Sequence, residues 1–168
     1  MSGGLLTLLV LAALAAAYSA YLAWLAAQSR RPRTRGLRDG RLRPCRLATN
    51  CVCSQPGCGG RAVEPLPFAG APEAALERLA AVVAALPRSR VVQRGGGYLH
   101  AEVRSRFFGF VDDLEAQVDP EAKVIHLRSG SRIGISDRGV NRRRVAALHA
   151  RWAAPGAGDS AVLPQPPQ

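Results

Sequence analysis

Hydrophobic and polar positions alternate along the chain in three different ways, and each predicts a different element. Leu5 to Ala27 is an uninterrupted run of 23 residues without a charge, with Thr7 and Ser19 as its polar members. At about 1.5 Å per residue, a helix of that length spans the roughly 30 Å hydrocarbon layer of a bilayer. Tyr18, Tyr21 and Trp24 sit toward its carboxyl end, where amphipathic rings favour the headgroup boundary, and Arg30, Arg31, Arg33 and Arg35 follow. The pattern predicts a single-pass anchor over residues 1–28. A cleaved signal peptide is the alternative, with Ala15 and Ala17 as an A-x-A site, but Met1 to Gly4 supply no basic residue. The many alanines also keep open an apolar helix of a soluble protein.

Gln28 to Arg43 is polar and broken by Pro32, Gly36 and Gly40, with too little apolar content for a packed element. Residues 29–44 therefore read as a basic linker. Pro155 to Gln168, rich in proline and glycine, reads as a disordered tail. Between them, residues 45–154 carry the periodicities of a folded domain. Pro72 leads into Leu76, Leu79, Val83 and Leu86 at helical spacing, and Pro87 ends the pattern. Val91 and Val92, a turn at Gly95 to Gly97, and the period-two run Leu99, Ala101, Val103 predict a hairpin. Phe108, Phe110, Leu114, Ala116 and Val118 continue an alternation into a third strand, and Val124, Ile125 and Leu127 begin a fourth. From about Arg138, Asn141, Val145, Leu148 and Trp152 mark a second helix capped by Ser136 or Asp137. The order predicts an α+β fold: a four-stranded antiparallel meander with both helices on one face. Since the anchor and linker precede every predicted packed element, removal of Met1 to Arg43 is expected to leave a folded, soluble domain.

Charge changes this picture little. The net charge is +11, but Arg30 to Arg46 contains eight arginines and one acid, so the rest of the chain carries only +4. That is too weak to argue for nucleic-acid binding. Eight arginines at the membrane exit predict, by the positive-inside bias, that the domain stays cytoplasmic. Cys45, Cys51, Cys53 and Cys58 fall within 14 residues, a density that favours an oxidising compartment instead.

Five segments in order, Cys45 to Ser54 (CRLATNCVCS), Tyr98 to Glu102 (YLHAE), Phe108 to Glu115 (FGFVDDLE), Arg128 to Arg132 (RSGSR) and Ser136 to Arg144 (SDRGVNRRR), resemble the domain-of-unknown-function family numbered fourteen ninety-nine. The resemblance covers about Cys45 to Leu148. It implies a small membrane-associated or exported bacterial protein with plastid relatives, and no activity. Cys53 and Cys58 depart from the family pattern, which favours Pro and Ser near Asn50 and at the position of Cys53.

The cysteine spacing lacks the C-x2-4-C knuckles of a tetrahedral zinc site, so no metal and no cofactor is expected. A Cys45 to Cys51 disulfide would pin the loop if the domain is exported. His100 and His126 occupy the polar side of their strands, as solvated or strand-pairing groups. A Ser129, His126, Asp113 triad has no nucleophile-elbow sequence behind it. The densest polar cluster is Asp112, Asp113, Glu115, Arg128, Ser129, Ser131, Arg132, Asp137, Asn141, Arg142 and Arg144. Asp112 shares the core side with Leu114, so Arg132 or Arg144 is expected to clamp it, whereas Asp113 and Glu115 share the other side and pair across strands. On that basis Asp112→Ala is expected to cost about 3 to 5 kcal/mol and Asp113→Ala at most about 1 kcal/mol.

Two readings of the cluster follow. In one it is a structural network of Asp112, Asp113, Glu115 and Asp137 with the arginines. In the other, Arg128, Ser129, Ser131, Arg132, Asn141, Arg142 and Arg144 converge with the second helix's amino terminus on an anion. The first function expected is a membrane-anchored, non-enzymatic module binding an anionic small molecule, a lipid headgroup or a partner carboxylate. The others are a hydrolase or transferase holding phosphate, with Asp112 or Asp113 as base, and a structural or assembly protein of the envelope.

Overall fold

The computed structural model describes residues 3–31, 36–45, 49–58 and 61–154; the expected tail at 155–168 and part of the expected linker lie outside the described residues. Helix α1 is Gly3–Ser29, helix α2 Pro72–Ala84 and helix α3 Val140–Ala153. The strands are β1 (Cys51–Cys53), β2 (Leu66–Pro67), β3 (Ser89–Gly95), β4 (Tyr98–Arg104), β5 (Val111–Asp119) and β6 (Val124–Ser131). The fold is α+β, with one antiparallel sheet in the order β1-β6-β5-β4-β3 and β2 also paired to β6.

The sheet has six strands rather than the expected four. The meander β3 to β6 is present, and β1 and β2 extend it along β6. Neither could be read from periodicity: three and two residues are too short for alternation to register.

One face of the sheet carries Leu99, Ala101, Val103, Leu114, Ala116, Val118, Ile125 and Leu127. Helices α2 and α3 bury it with Leu76, Leu79, Val83, Val145, Leu148 and Trp152. These are the predicted stripes, and Pro72 stands at the start of α2, where its missing amide hydrogen loses no helical bond. The expected third strand starts late. Phe108 and Phe110 belong to a loop closed by Ser105, whose amide donates to the Phe110 carbonyl (2.8 Å) and whose hydroxyl accepts from the Phe110 amide (2.9 Å). Gly109 supplies the left-handed turn there, at φ 68°.

Nor are the last turns of α1 and the segment after it merely a tether. Leu22 and Leu25 are half-buried, Ala26 and Ser29 are buried, and Leu42 is buried farther on. The Ser29 hydroxyl accepts from the Val111 amide (3.0 Å) at the first residue of β5. The last turns of α1 thus dock on the domain through an i, i+3, i+4, i+7 stripe, which a helix apolar on every side does not set apart from its other faces.

Candidate functional site

On the helix side of the sheet, Asp112 stands beside Leu114 as the alternation predicts, and the clamp is Arg144. Its Nη2 donates to Asp112 Oδ2 (2.6 Å), and its Nη1 to Ser129 Oγ (2.9 Å) and Asn141 Oδ1. Ser129 donates to Asn141 Oδ1 (2.7 Å), while Asn141 Nδ2 donates to the Asn50 carbonyl (3.0 Å) and to Ser131 Oγ (3.2 Å). Asn141 is wholly buried, so this cluster joins α3 to β6 and to the residue before β1. Asp137 accepts from the amides of Gly139 (2.8 Å) and Asn141 (2.9 Å). Burial pushes its carboxyl up, but these hydrogen bonds outweigh it and hold the group below its ordinary value. The amides expected to receive an anion therefore already have a carboxylate.

The opposite face carries a second network. Asp113 Oδ1 accepts from Arg132 Nη2 (2.7 Å) and Nε (3.0 Å) and lies 2.8 Å from His100 Nε2. Arg132 also donates to Glu102 Oε1 (2.8 Å) and to the carbonyls of Ser29 (3.0 Å) and Arg31 (3.3 Å). Burial works against its charge, yet Asp113 and Glu102 outweigh that and raise its pKa. Glu115 accepts from Arg128 Nη1 (2.6 Å) and from the Tyr98 hydroxyl (2.8 Å). The side chains of Asp113, Glu115 and Arg132 are all 0% exposed.

Here the expectation of an exposed Asp113 is overturned. Strand alternation separates the two faces correctly, but this one is covered rather than solvated. Disulfides Cys45–Cys51 and Cys53–Cys58 lie over it, because β1 turns Val52 to the core and both strand cysteines the other way. Gly130 lies beneath the first of them: a Cβ there would stand 3.1 Å from Cys51 Sγ and crowd it. Asp39, Gly40 and Arg41 border the His126 and Gln117 end of the same face. His126 is lowered by burial, which outweighs the opposing effect of Asp119, and Arg41 adds to the lowering.

The expected anion site is thus divided by the sheet. Ser129, Ser131, Asn141 and Arg144 are on one side, Arg128 and Arg132 on the other, and Arg142 donates to the Ala62 carbonyl (3.2 Å) elsewhere. Ser129 and His126 also point to opposite faces, so the triad is not assembled. Among the described residues there is no group of three or more His, Cys, Asp or Glu that could hold a metal.

A different arginine group does line a concavity. A cleft of about 470 Å³ is bounded by Arg88, Arg90, Glu102, Arg104 and Gly109, among others. Arg88 faces Arg104 across the hairpin, with amide Arg104 to carbonyl Arg88 and Nε of Arg88 to carbonyl Arg104 both at 3.0 Å. Arg88 holds a left-handed backbone at φ 57°, which costs a non-glycine residue about 1 to 2 kcal/mol. Glu102, the acid of the cleft, is engaged by Arg132 and, at 3.5 Å, by Arg90. Arg30, at the exit of α1, donates to the carbonyls of Phe108 (2.6 Å) and Gly109 (3.3 Å) and so borders the cleft. Arg88 and Arg90 escaped the sequence reading because they look like solvated strand positions. The signal that could have found them is Arg-x-Arg at 88/90 meeting Arg-x-Arg at 104/106 across a predicted hairpin.

Residues 41–151 match the family described as Protein of unknown function (DUF1499). The chain belongs to this family. Within this DUF1499 chain the match begins at Arg41 and runs through α3 to Arg151, leaving α1 outside it. No curated protein and no solved structure matches the chain.

Proposed function

We propose that this DUF1499 chain is a single-pass membrane protein whose domain binds, without chemistry, the phosphate of an anionic lipid headgroup in the Arg88, Arg90 and Arg104 cleft. The observation that carries the reading is Arg88 opposite Arg104. Like charges directly across a strand pair destabilise a sheet, and an anion between them reverses the sign of that interaction. The cleft adjoins Arg30, and α1 is long and apolar enough to cross a membrane, so lipid phosphate is the anion nearest to hand. A hydrolase or transferase is disfavoured because Asp112 and Asp113, the bases it needs, each accept from an arginine. A purely structural role accounts for the bond of Arg88 to the Arg104 carbonyl but not for the gathering of three arginines in one concavity.

The test uses the full chain in neutral-detergent micelles, titrated with short-chain phosphatidylglycerol, short-chain phosphatidylcholine and inorganic phosphate. Phosphatidylglycerol should bind best. Each arginine near an anionic lipid surface contributes about 1 kcal/mol, so Arg88→Gln with Arg104→Gln should weaken its binding about 30-fold. Equal binding of the two lipids would sink the reading, and phosphate binding as tightly as phosphatidylglycerol would identify a free anion as ligand.

We also assign the domain to the oxidising side of the membrane, against the arginine bias. The support is the pairing of all four cysteines, with Cα separations of 5.6 and 5.7 Å that suit disulfides, which a reducing cytosol does not sustain. In cells quenched with acid and denatured, the cysteines should react with maleimide only after reduction. Four thiols reactive without reductant would return the domain to the cytosol.

A further inference from the structure

We infer that the α1-proximal end of the domain is immersed in the headgroup layer of the bilayer, with Phe107, Phe108 and Ile135 as its embedded side chains. The inference rests on the reading of α1 as a bilayer anchor and is independent of what the cleft binds. Outside α1, the exposed large hydrophobic side chains among the described residues are Val92, Phe107, Phe108, Ile135 and Val140. Single exposed apolar residues are ordinary on protein surfaces, but clustering is not. Four of these five sit at one end of the fold. Register puts Arg104 opposite Val111 and Asp112 opposite Ser131, so loops 105–110 and 132–139 leave the sheet at the same end. Phe107 is 88% exposed in the first loop and Ile135 79% exposed in the second.

That end is also where α1 arrives. Ser29 holds the Val111 amide and Arg30 holds the carbonyls of Phe108 and Gly109. Gly109 permits the contact, because a Cβ there would lie 2.7 Å from the Arg30 guanidinium. The domain overlaps the helix from Leu22 to Ser29, about 10 Å at 1.5 Å per residue. Tyr21 and Trp24, which point away from the domain, mark the headgroup boundary at that same depth. The charges agree. The two loops expose Arg106 and Arg138 against a single acid, Asp137, whereas the β5–β6 turn at the far end carries Asp119 and Glu121 against Lys123. An apolar tip flanked by exposed Arg30, Arg106 and Arg138 fits an anionic lipid surface.

The experiment places an environment-sensitive NBD probe at Phe107→Cys, Ile135→Cys or Glu121→Cys, labelled without reductant so that the native disulfides remain closed. The full chain is reconstituted in nanodiscs of phosphatidylglycerol and phosphatidylcholine, with and without doxyl lipids, and Trp24 is monitored with brominated lipids. Positions 107 and 135 should emit to the blue of position 121 and be quenched several-fold more by doxyl lipids. Water-like emission at 107 and 135 with Trp24 quenched would overturn the immersion alone. An unquenched Trp24 would overturn the anchor, and the immersion with it. A blue-shifted probe that doxyl lipids fail to quench would mean that protein, such as a second copy of the chain, covers the loops, and would overturn it as well.

Discussion

Asp113→Ala is expected to destabilise the domain by about 3 to 5 kcal/mol, a large share of the 5 to 15 kcal/mol typical of a folded domain. The side chains of Asp113 and Arg132 are both 0% exposed, and His100 lies against the same carboxylate. Removing it leaves a guanidinium out of water beside Glu102 as its remaining carboxylate, and a ring nitrogen without its acceptor. Asp112→Ala is expected to cost less, about 1 to 3 kcal/mol. Asp112 is 14% exposed, and Arg144 keeps its bonds to Ser129 and Asn141 when the carboxylate goes. Denaturant melts of the full chain in detergent, following Trp152 in the core, should therefore rank Asp113→Ala well below Asp112→Ala. The reverse rank would mean that the covered face is open to water.

Deleting Met1–Arg43 is expected to yield a chain that aggregates rather than a soluble domain. Arg132 Nη1 loses both of its carbonyl acceptors and the Val111 amide loses the Ser29 hydroxyl. Hydrogen bonds to a charged donor contribute about 1.5 to 3 kcal/mol, and a buried donor left unmade forfeits its desolvation as well. Buried Leu42 goes too, for about 1.5 to 3 kcal/mol more. A chain beginning at Tyr18 keeps every one of these contacts and should unfold cooperatively in mild detergent. A monomeric Pro44–Gln168 with the full chain's melting transition would show instead that the docked turns of α1 are incidental.

The meander, the two helical stripes and the split of the sheet into two faces were legible because each rests on period-two or period-3.6 spacing of large apolar residues. Asn141 fell correctly on the buried stripe, and Asp112 on the helix side. Three kinds of feature were not legible. Strands β1 and β2 are too short to alternate. The cover over Asp113 and Glu115 comes from cysteine-bearing and linker segments whose composition reads as polar loop, so a buried face looked like a wet one. The cleft is made of arginines that meet only through hairpin register, so the Arg-x-Arg spacings at 88/90 and 104/106 point to it only once that register is known. The expected convergence of Arg128, Arg132 and Arg144 failed for one reason. Neighbours in sequence on a strand, such as Arg128 and Ser129, face opposite sides, and the cluster had been gathered by sequence proximity.

With α1 spanning the bilayer as proposed, the joint between Ser29 and Arg132 would make it the shaft of a compass rather than a leash. Rotation of α1 about its own axis would then set the azimuth of the whole domain in the bilayer plane, and with it the flank turned toward neighbouring proteins. One residue inserted between Trp24 and Ser29 would swing the upstream helix by about 100° relative to the domain. Such an anchor would be keyed by angle as well as by hydrophobicity, and an apolar helix of equal length but different phase would not be its equivalent.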